Sequence, residues 1–108
     1  MWIMGYRGTY GSRSHQIYDA DTEQEYWDFT FEEIGQYDIP AVIDFILEKK
    51  HNSQGKLFMF SYSLGTTSSM YGMWKLKEFY EQRVKMLVLL APTIEFKFIK
   101  EPVLANAA

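Results

Sequence analysis

Two short apolar segments with a helical pattern between them constrain the fold of this 108-residue chain more than any other feature. Residues 56–60 and 86–90 are apolar runs bounded by turn residues, which is typical of buried strands. The residues between them form two stripes at helical spacing: Ser69, Gly72, Met73, Leu76, Phe79 and Tyr80 in the first, Thr66, Met70 and Trp74 in the second. Because two strands joined through a helix in one sheet run parallel, the sequence predicts an α/β fold with strands covered on both faces.

The N-terminal third predicts less regular structure. Residues 2–4 are apolar and indicate the end of a buried strand, and a glycine- and serine-rich loop over residues 5–15 follows them. Aromatic and acidic residues interleave from Tyr26 to Gly35. This pattern favours a short helical turn that closes on Gly35.

A longer helix is predicted next, because apolar residues fall at the i, i+3, i+4 and i+7 positions, namely Ile39, Val42, Ile43 and Ile46. Asp38 is the expected N-cap, and Pro40 suits the first turn because proline lacks an N–H that the helix would use. We expect this helix to end near Lys50.

Composition excludes several classes of protein. With 47% hydrophobic and 18% aromatic residues, the chain has too many side chains to bury for a disordered segment, and its length allows one domain at most. The absence of cysteine excludes a disulfide framework and a Cys-ligated metal site. The two histidines stand apart, without the spacing of metal ligands, so we expect neither a metal nor a cofactor.

Charge is distributed unevenly. Ten acidic residues and no Lys or Arg lie between Asp19 and Glu48, which argues against nucleic-acid binding and favours a solvated acidic surface. No apolar run approaches the length of a transmembrane helix. The residues after Met1 do not have the pattern of a signal peptide.

The segment Phe60–Thr67 carries the one pattern with chemical meaning. Ser63 lies between the predicted strand and helix, with small residues, Ser61 and Gly65, two positions before and after it. This is the pattern of a nucleophile elbow, in which a strained turn exposes the serine hydroxyl and needs small neighbours to avoid collisions. The N–H of Leu64, at the start of the helix, would then stabilise an oxyanion. The alternative is that Ser63 is not a nucleophile and that Ser61 or Ser63 is an ordinary helix N-cap.

Several blocks in order resemble the acid lipase family, the α/β-hydrolase group of gastric and lysosomal acid lipases and their insect relatives. The blocks are residues 2–9, 12–15 and 26–41, the elbow ending in Gly65-Thr66-Thr67, and Leu90-Ala91-Pro92, so the resemblance covers residues 1 to 102. It implies a partial α/β-hydrolase fold and hydrolysis of lipid esters, triacylglycerols or cholesteryl esters, by a secreted or lysosomal enzyme that contacts lipid peripherally.

Carried over by position, the resemblance makes Ser63 the nucleophile and Leu64 a donor of an oxyanion-hole amide. The family usually has Gly-His-Ser-Gln-Gly at the elbow, whereas this chain has Ser61, Tyr62 and Leu64 at three of these places. The side chain of Ser61 is expected to add strain where the turn is tightest.

The remaining residues of a catalytic triad are not evident. In this fold an acid and then a histidine follow the serine, but the only acids after Ser63 are Glu78, Glu81, Glu95 and Glu101, and both histidines, His15 and His51, precede it. We therefore expect residues 1–108 to be part of a lipase domain that is incomplete at both ends, and inactive alone. Two alternatives remain open: a non-catalytic lipase-like remnant that binds lipid or a protein partner through exposed apolar surface, and a chain that is unstable alone.

Overall fold

The computed structural model describes residues 1–50 and 55–94. Within these ranges, two parallel strands form the sheet: β1 (Leu57–Tyr62) and β2 (Val84–Leu90). Phe58 pairs with Met86, Phe60 with Val88 and Tyr62 with Leu90. Both predicted strands of the 56–92 region and their parallel pairing are thus confirmed, and the described part is an α/β structure.

Only one face of this sheet is covered by the described residues. Along β1, exposure alternates, and Phe58, Phe60 and Tyr62 are 58%, 68% and 72% exposed. The other face carries Leu57 and Met59, which pack against the core. Within the described residues the predicted cover on the second face is not found, because the described helices supply core contacts to one face alone.

Two helices connect the strands: α3 (Leu64–Lys75) and α4 (Lys77–Arg83), separated at Leu76, where φ is −120° and ψ is 47°. Half of the first predicted stripe is buried, at Ser69, Gly72 and Tyr80, and Leu76 and Phe79 are half-buried. Met73 of this stripe is exposed, and the second stripe does not form an apolar contact surface, because Met70 and Trp74 are exposed as well. The buried face of the described helices is therefore narrower than predicted.

The helix predicted from Asp38 begins earlier. Helical structure runs without a break through α1 (Phe31–Glu33), a π-helical segment (Ile34–Asp38) and α2 (Ile39–Lys49). The predicted helix end near Lys50 is confirmed, whereas the predicted stop at Gly35 and the predicted N-cap at Asp38 are wrong. Asp38 is itself helical, with φ −68° and ψ −50°, and makes no side-chain cap. In the π-helical segment the N–H of Ile39 donates to the carbonyl of Ile34, so the helix continues into Pro40.

The N-cap of this helical run is Thr30. Its Oγ1 accepts a hydrogen bond from the Glu32 N–H at 3.1 Å, and Glu33 Oε2 accepts from the Thr30 N–H at 2.7 Å, which is a capping box. The hydrogen bond from the Thr30 backbone lowers the pKa of Glu33. The ionised carboxylate of Glu33 therefore holds the start of the helix.

The carboxylate of Asp38 has a different role. Its Oδ1 accepts from Arg7 Nη2 at 2.6 Å and from Nε at 2.8 Å, and Oδ2 accepts from the Arg7 backbone N–H at 2.8 Å. These bonds raise the pKa of Arg7 and attach the N-terminal loop to the helix.

The apolar core lies between the helical run, which contributes residues 34, 39 and 43, and Tyr80 of α4. Ile34, Ile39, Ile43 and Tyr80 are buried together, and the Tyr80 hydroxyl donates to the Gly35 carbonyl at 3.3 Å. Burial raises the pKa of Tyr80 to about 12. Gly35 and Gly72 face each other here, so that the two backbones come close.

The N-terminal residues are not a strand. Residues 2–4 have no regular structure, and Trp2 and Ile3 are exposed, with the Trp2 ring packed edge-on against Phe45. The predicted strand is therefore wrong, since no described strand lies beside these residues to pair with them. The predicted loop over residues 5–15 is confirmed as a series of turns. No helix in the described ranges is long and apolar enough to cross a membrane.

Candidate functional site

The turn between β1 and α3 contains Ser63 and nothing else. Its backbone has φ 49° and ψ −123°, a region that side-chain-bearing residues rarely adopt and that costs of order 1–3 kcal/mol. The Ser63 N–H donates to the Leu90 carbonyl at 3.1 Å, which continues the sheet hydrogen bonds for one more residue. The serine is exposed at the carboxyl ends of both strands.

Neighbouring groups leave the Ser63 hydroxyl accessible. Within residues 1–50 and 55–94, no hydrogen bond to Ser63 Oγ is found. Leu64 is the first residue of the 12-residue helix α3, so its N–H is among the amides that a helix leaves without an internal partner. The positive end of the helix dipole lies at the same place.

A pair of buried hydroxyls lies under the turn. Ser61 Oγ and Ser69 Oγ are 2.6 Å apart, and Ser69 Oγ donates to the Gly65 carbonyl at 2.7 Å. Because the single proton of Ser69 is used in that bond, Ser61 must be the donor to Ser69. The side chain of Ser61, expected to add strain, is thus hydrogen-bonded inside the fold.

Gly65 does not have the steric role that the pattern predicts. A Cβ built on Gly65 meets no described atom within 4 Å. The expectation that a small residue is needed there to avoid a collision is therefore wrong for the described part of the chain.

Threonines tie the start of α3 to the segment that follows β2. Thr66 Oγ1 donates to the Ser63 carbonyl at 2.6 Å and accepts from the Thr93 N–H at 3.0 Å, while Thr67 Oγ1 donates to the Thr93 carbonyl. Ala91, the residue after β2, has φ 48°, nearly the same as Ser63. A residue with a positive φ therefore follows each strand, directly after the paired strand ends Tyr62 and Leu90.

The described titratable residues considered for the triad, His15, Glu78 and Glu81, make no hydrogen bond to Ser63. His15 Nδ1 accepts from the Ile17 and Tyr18 N–H groups at 3.2 and 2.9 Å, and its ring stacks on Tyr18. Glu78 and Glu81 are exposed on α4, and Glu81 lies 3.7 Å from Lys77 Nζ. His51, Glu95 and Glu101 lie outside the described residues. Among the residues that are described, no histidine or carboxylate bonds to Ser63, and no group of three could hold a metal ion.

The sequence did not predict the roles of three residues at this site. These are the positive φ of Ala91 and the hydrogen bonds of Thr66 and Thr93. The pair Thr66-Thr67 is visible in the sequence, but the partner of both hydroxyls, Thr93, is 27 residues from Thr66. A proline just before Thr93 indicates the end of a strand and gives no signal for such a bond.

Fold and site together define an α/β structure with a strained, exposed serine between a parallel strand and a helix. The chain is 40% identical to human lipase member N over 98 residues and 36% identical to human lipase member M over 102 residues. It is 32% identical over 102 residues to the lysosomal acid lipase/cholesteryl ester hydrolase of Macaca fascicularis. The resemblance to the acid lipases that the sequence predicts is thus confirmed.

These alignments include 91% to 94% of this chain but only 23% to 25% of each relative. The chain therefore spans about a quarter of the length of the curated relatives it matches. No protein-family model matches the chain, and no solved structure matches it.

Proposed function

We propose that this chain carries the nucleophile region of a lipase of the α/β-hydrolase fold, with Ser63 as nucleophile and the Leu64 N–H as one oxyanion donor. The observation that supports this most is the backbone of Ser63, which is strained and exposed between β1 and α3. Strain of this kind clusters at functional sites. An ordinary N-cap would adopt extended backbone torsions and accept a hydrogen bond from the helix, and Ser63 has no side-chain cap.

The reaction assigned to this site is acyl transfer from a lipid ester. Ser63 Oγ attacks the ester carbonyl carbon, its proton passes to a base, and the carbonyl oxygen takes up negative charge near the Leu64 N–H and the positive end of α3. The alcohol then leaves with a proton, and water hydrolyses the acyl-serine. Since no described histidine bonds to Ser63, we propose that residues 1–108 are part of a lipase domain whose base lies elsewhere, so that these residues alone react slowly.

Triacylglycerols or cholesteryl esters are the proposed substrates, with peripheral contact at a lipid surface. The support is the similarity to relatives named as lipases and as a cholesteryl ester hydrolase. A lysosomal or secreted location is proposed on the same ground.

Labelling with a fluorophosphonate in the presence of imidazole tests the role of Ser63. The hydroxyl attacks phosphorus, fluoride leaves and imidazole takes the proton, so added imidazole replaces the base. Trypsin cleaves after Lys56 and Lys75 and yields a peptide of residues 57–75 in which the labelled serine can be located by mass spectrometry.

We expect labelling at Ser63 that rises with imidazole concentration and is lost in Ser63→Ala. Ser14 is an internal control, because it is an exposed loop serine without a helix behind it. Labelling of Ser63 no faster than of Ser14 would contradict the proposal.

A second candidate function is lipid binding without catalysis. The uncovered sheet face of Phe58, Phe60 and Tyr62 favours it, because a row of exposed rings on one face marks an interaction surface. Binding of the chain to phosphatidylcholine vesicles, together with failure of Ser63 to label, would support this alternative over the first.

A further inference from the structure

Both backbone polar groups of Ser63 are held by neighbours. Its N–H donates to the Leu90 carbonyl at 3.1 Å, and its carbonyl accepts from the Thr66 N–H at 2.8 Å and from Thr66 Oγ1 at 2.6 Å. The carbonyl therefore has two donors from the same residue. Thr66 is fully buried, at 0% exposure, so water does not compete for these bonds.

The Thr66 hydroxyl both donates and accepts a hydrogen bond. Its one proton goes to the Ser63 carbonyl, and its oxygen accepts from the Thr93 N–H at 3.0 Å. Thr93 is in turn fixed by Thr67, whose hydroxyl donates to the Thr93 carbonyl. The position of the Ser63 carbonyl is thereby coupled to the segment after β2.

The Ser63 carbonyl and the Leu64 N–H belong to one peptide group. Because that group is planar and trans, fixing the direction of the carbonyl also fixes the direction of the N–H, which points the opposite way. The Leu64 N–H is the proposed oxyanion donor. By holding the Ser63 carbonyl, the Thr66 hydroxyl thus sets the direction of the Leu64 N–H, which is expected to face the reacting oxygen. The hydroxyl itself does not contact that oxygen.

We propose that Thr66 is a positioning residue, which aims the Leu64 N–H by holding the Ser63 carbonyl and linking it to Thr93. This inference rests on the proposed role of Ser63 and extends it to a residue that contacts no substrate. An interaction made mainly in the transition state changes the maximal rate and leaves binding of the reagent nearly unchanged.

Thr66→Val tests this proposal, because valine keeps the shape of threonine and removes the hydroxyl. In the imidazole-assisted reaction we expect the maximal rate of Ser63 labelling to fall about fivefold or more, the effect of one hydrogen bond, with the concentration for half-maximal rate unchanged. Thr66→Ser restores the hydroxyl and should restore the rate to within about twofold.

Ser68→Ala is the matched control. Ser68 lies on the same helix at the same 0% exposure, but its Oγ has no hydrogen-bond partner in the described structure, so its loss should not change the labelling rate. Circular dichroism melts verify that each variant is folded at the labelling temperature. If the valine variant is unfolded there, Thr66→Ala carries the same test.

The possible results separate the two proposals. If Ser63 is not labelled in the unchanged chain, the proposed function fails and the positioning role fails with it. If Ser63 is labelled equally fast in the unchanged chain and in Thr66→Val, the proposed function stands and the positioning role is wrong. A fall in rate that Thr66→Ser does not rescue would also overturn it.

Discussion

Gly65 and Gly72 lie on the same helix, but a side chain added at each would meet different surroundings. A Cβ on Gly72 would lie 2.5 Å from the Gly35 carbonyl oxygen, which belongs to the backbone and cannot turn aside. A Cβ on Gly35 would lie 2.3 Å from the Ser68 carbonyl oxygen. At Gly65 there is open space among the described residues. The two central glycines are thus required by the close approach of two helices.

Replacement of these glycines by alanine should therefore have opposite effects on stability. Gly72→Ala must push the helices apart and is expected to lower the free energy of unfolding by about 1–3 kcal/mol, the usual cost of overpacking. Gly65→Ala, the control in the same helix, should leave it unchanged or raise it by up to about 1 kcal/mol, because alanine is the better helix former. Urea titrations followed by circular dichroism measure both. Equal midpoints for Gly72→Ala and the unchanged chain would show that the helices are not tightly packed.

For individual residues, the sequence predicts the place in a strand, turn or helix better than the contacts that the side chain makes. Ser63 can be placed between a strand and a helix because both patterns end beside it. The bond from Thr93 to Thr66 cannot be predicted, because it joins residues 27 positions apart through a loop without a pattern. Gly72 is visible in the helical stripe, but its partner Gly35 belongs to a segment that the sequence assigned to a helix end.

Among the elements, the helical run from Phe31 to Lys49 departs most from the sequence prediction. Asp38 has the residue type of an N-cap, but its carboxylate accepts hydrogen bonds from Arg7, which is 31 residues away in the sequence. The true start could have been predicted, because Thr30 followed by Glu33 is the capping-box spacing. Local patterns thus located the apolar face of this helix, whereas the position of its beginning depended on how one acid was used by a distant arginine.

The capping box makes the start of this helix sensitive to acid. Its hydrogen bonds lower the pKa of Glu33 from the ordinary value of 4.5, so its contribution to stability is fully present above pH 4.5. That contribution is lost as the pH falls through the lower, folded-state pKa. Urea midpoints measured between pH 3 and pH 7 should therefore decrease below about pH 4.5.

Glu33→Gln is the control for this effect, because glutamine accepts the same hydrogen bonds and does not titrate. The decrease below pH 4.5 should be smaller in this variant than in the unchanged chain. The difference is expected to be small, since Glu33 is close to solvent and water weakens such interactions. Identical pH profiles would show that the carboxylate of Glu33 does not hold the helix start.

For the molecule as a whole, the uncovered sheet face is the dominant feature. The sequence predicted the two strands and their parallel direction, because short apolar runs and a helical crossover allow few other arrangements. It also predicted cover on both faces, whereas the described residues cover one, because an apolar run looks the same whether its second face meets protein or solvent. The rings of Phe58, Phe60 and Tyr62 therefore lie at the surface that the described residues present.

This face should bind apolar probes and vesicles, and Phe60→Thr should weaken that binding. Threonine suits a strand and removes the ring from the exposed face, so we expect lower fluorescence of an added apolar dye and less binding to phosphatidylcholine vesicles. Met59→Thr is the control on the opposite face: it should lower stability, because Met59 packs against the core, and leave dye binding to the folded chain unchanged. Equal dye binding by Phe60→Thr and the unchanged chain would show that this face is not the apolar surface.

The parallel pairing also has a consequence during synthesis. Phe58 pairs with Met86, and α3 and α4 lie between them in the chain, so no hairpin can form while the ribosome is still producing the connection. At ordinary rates of translation, β1 waits roughly one to six seconds for its partner strand. Throughout that interval β1 lacks β2, the strand with which it pairs in the described structure, and the aromatic residues of β1 are open to chaperones and to other nascent chains.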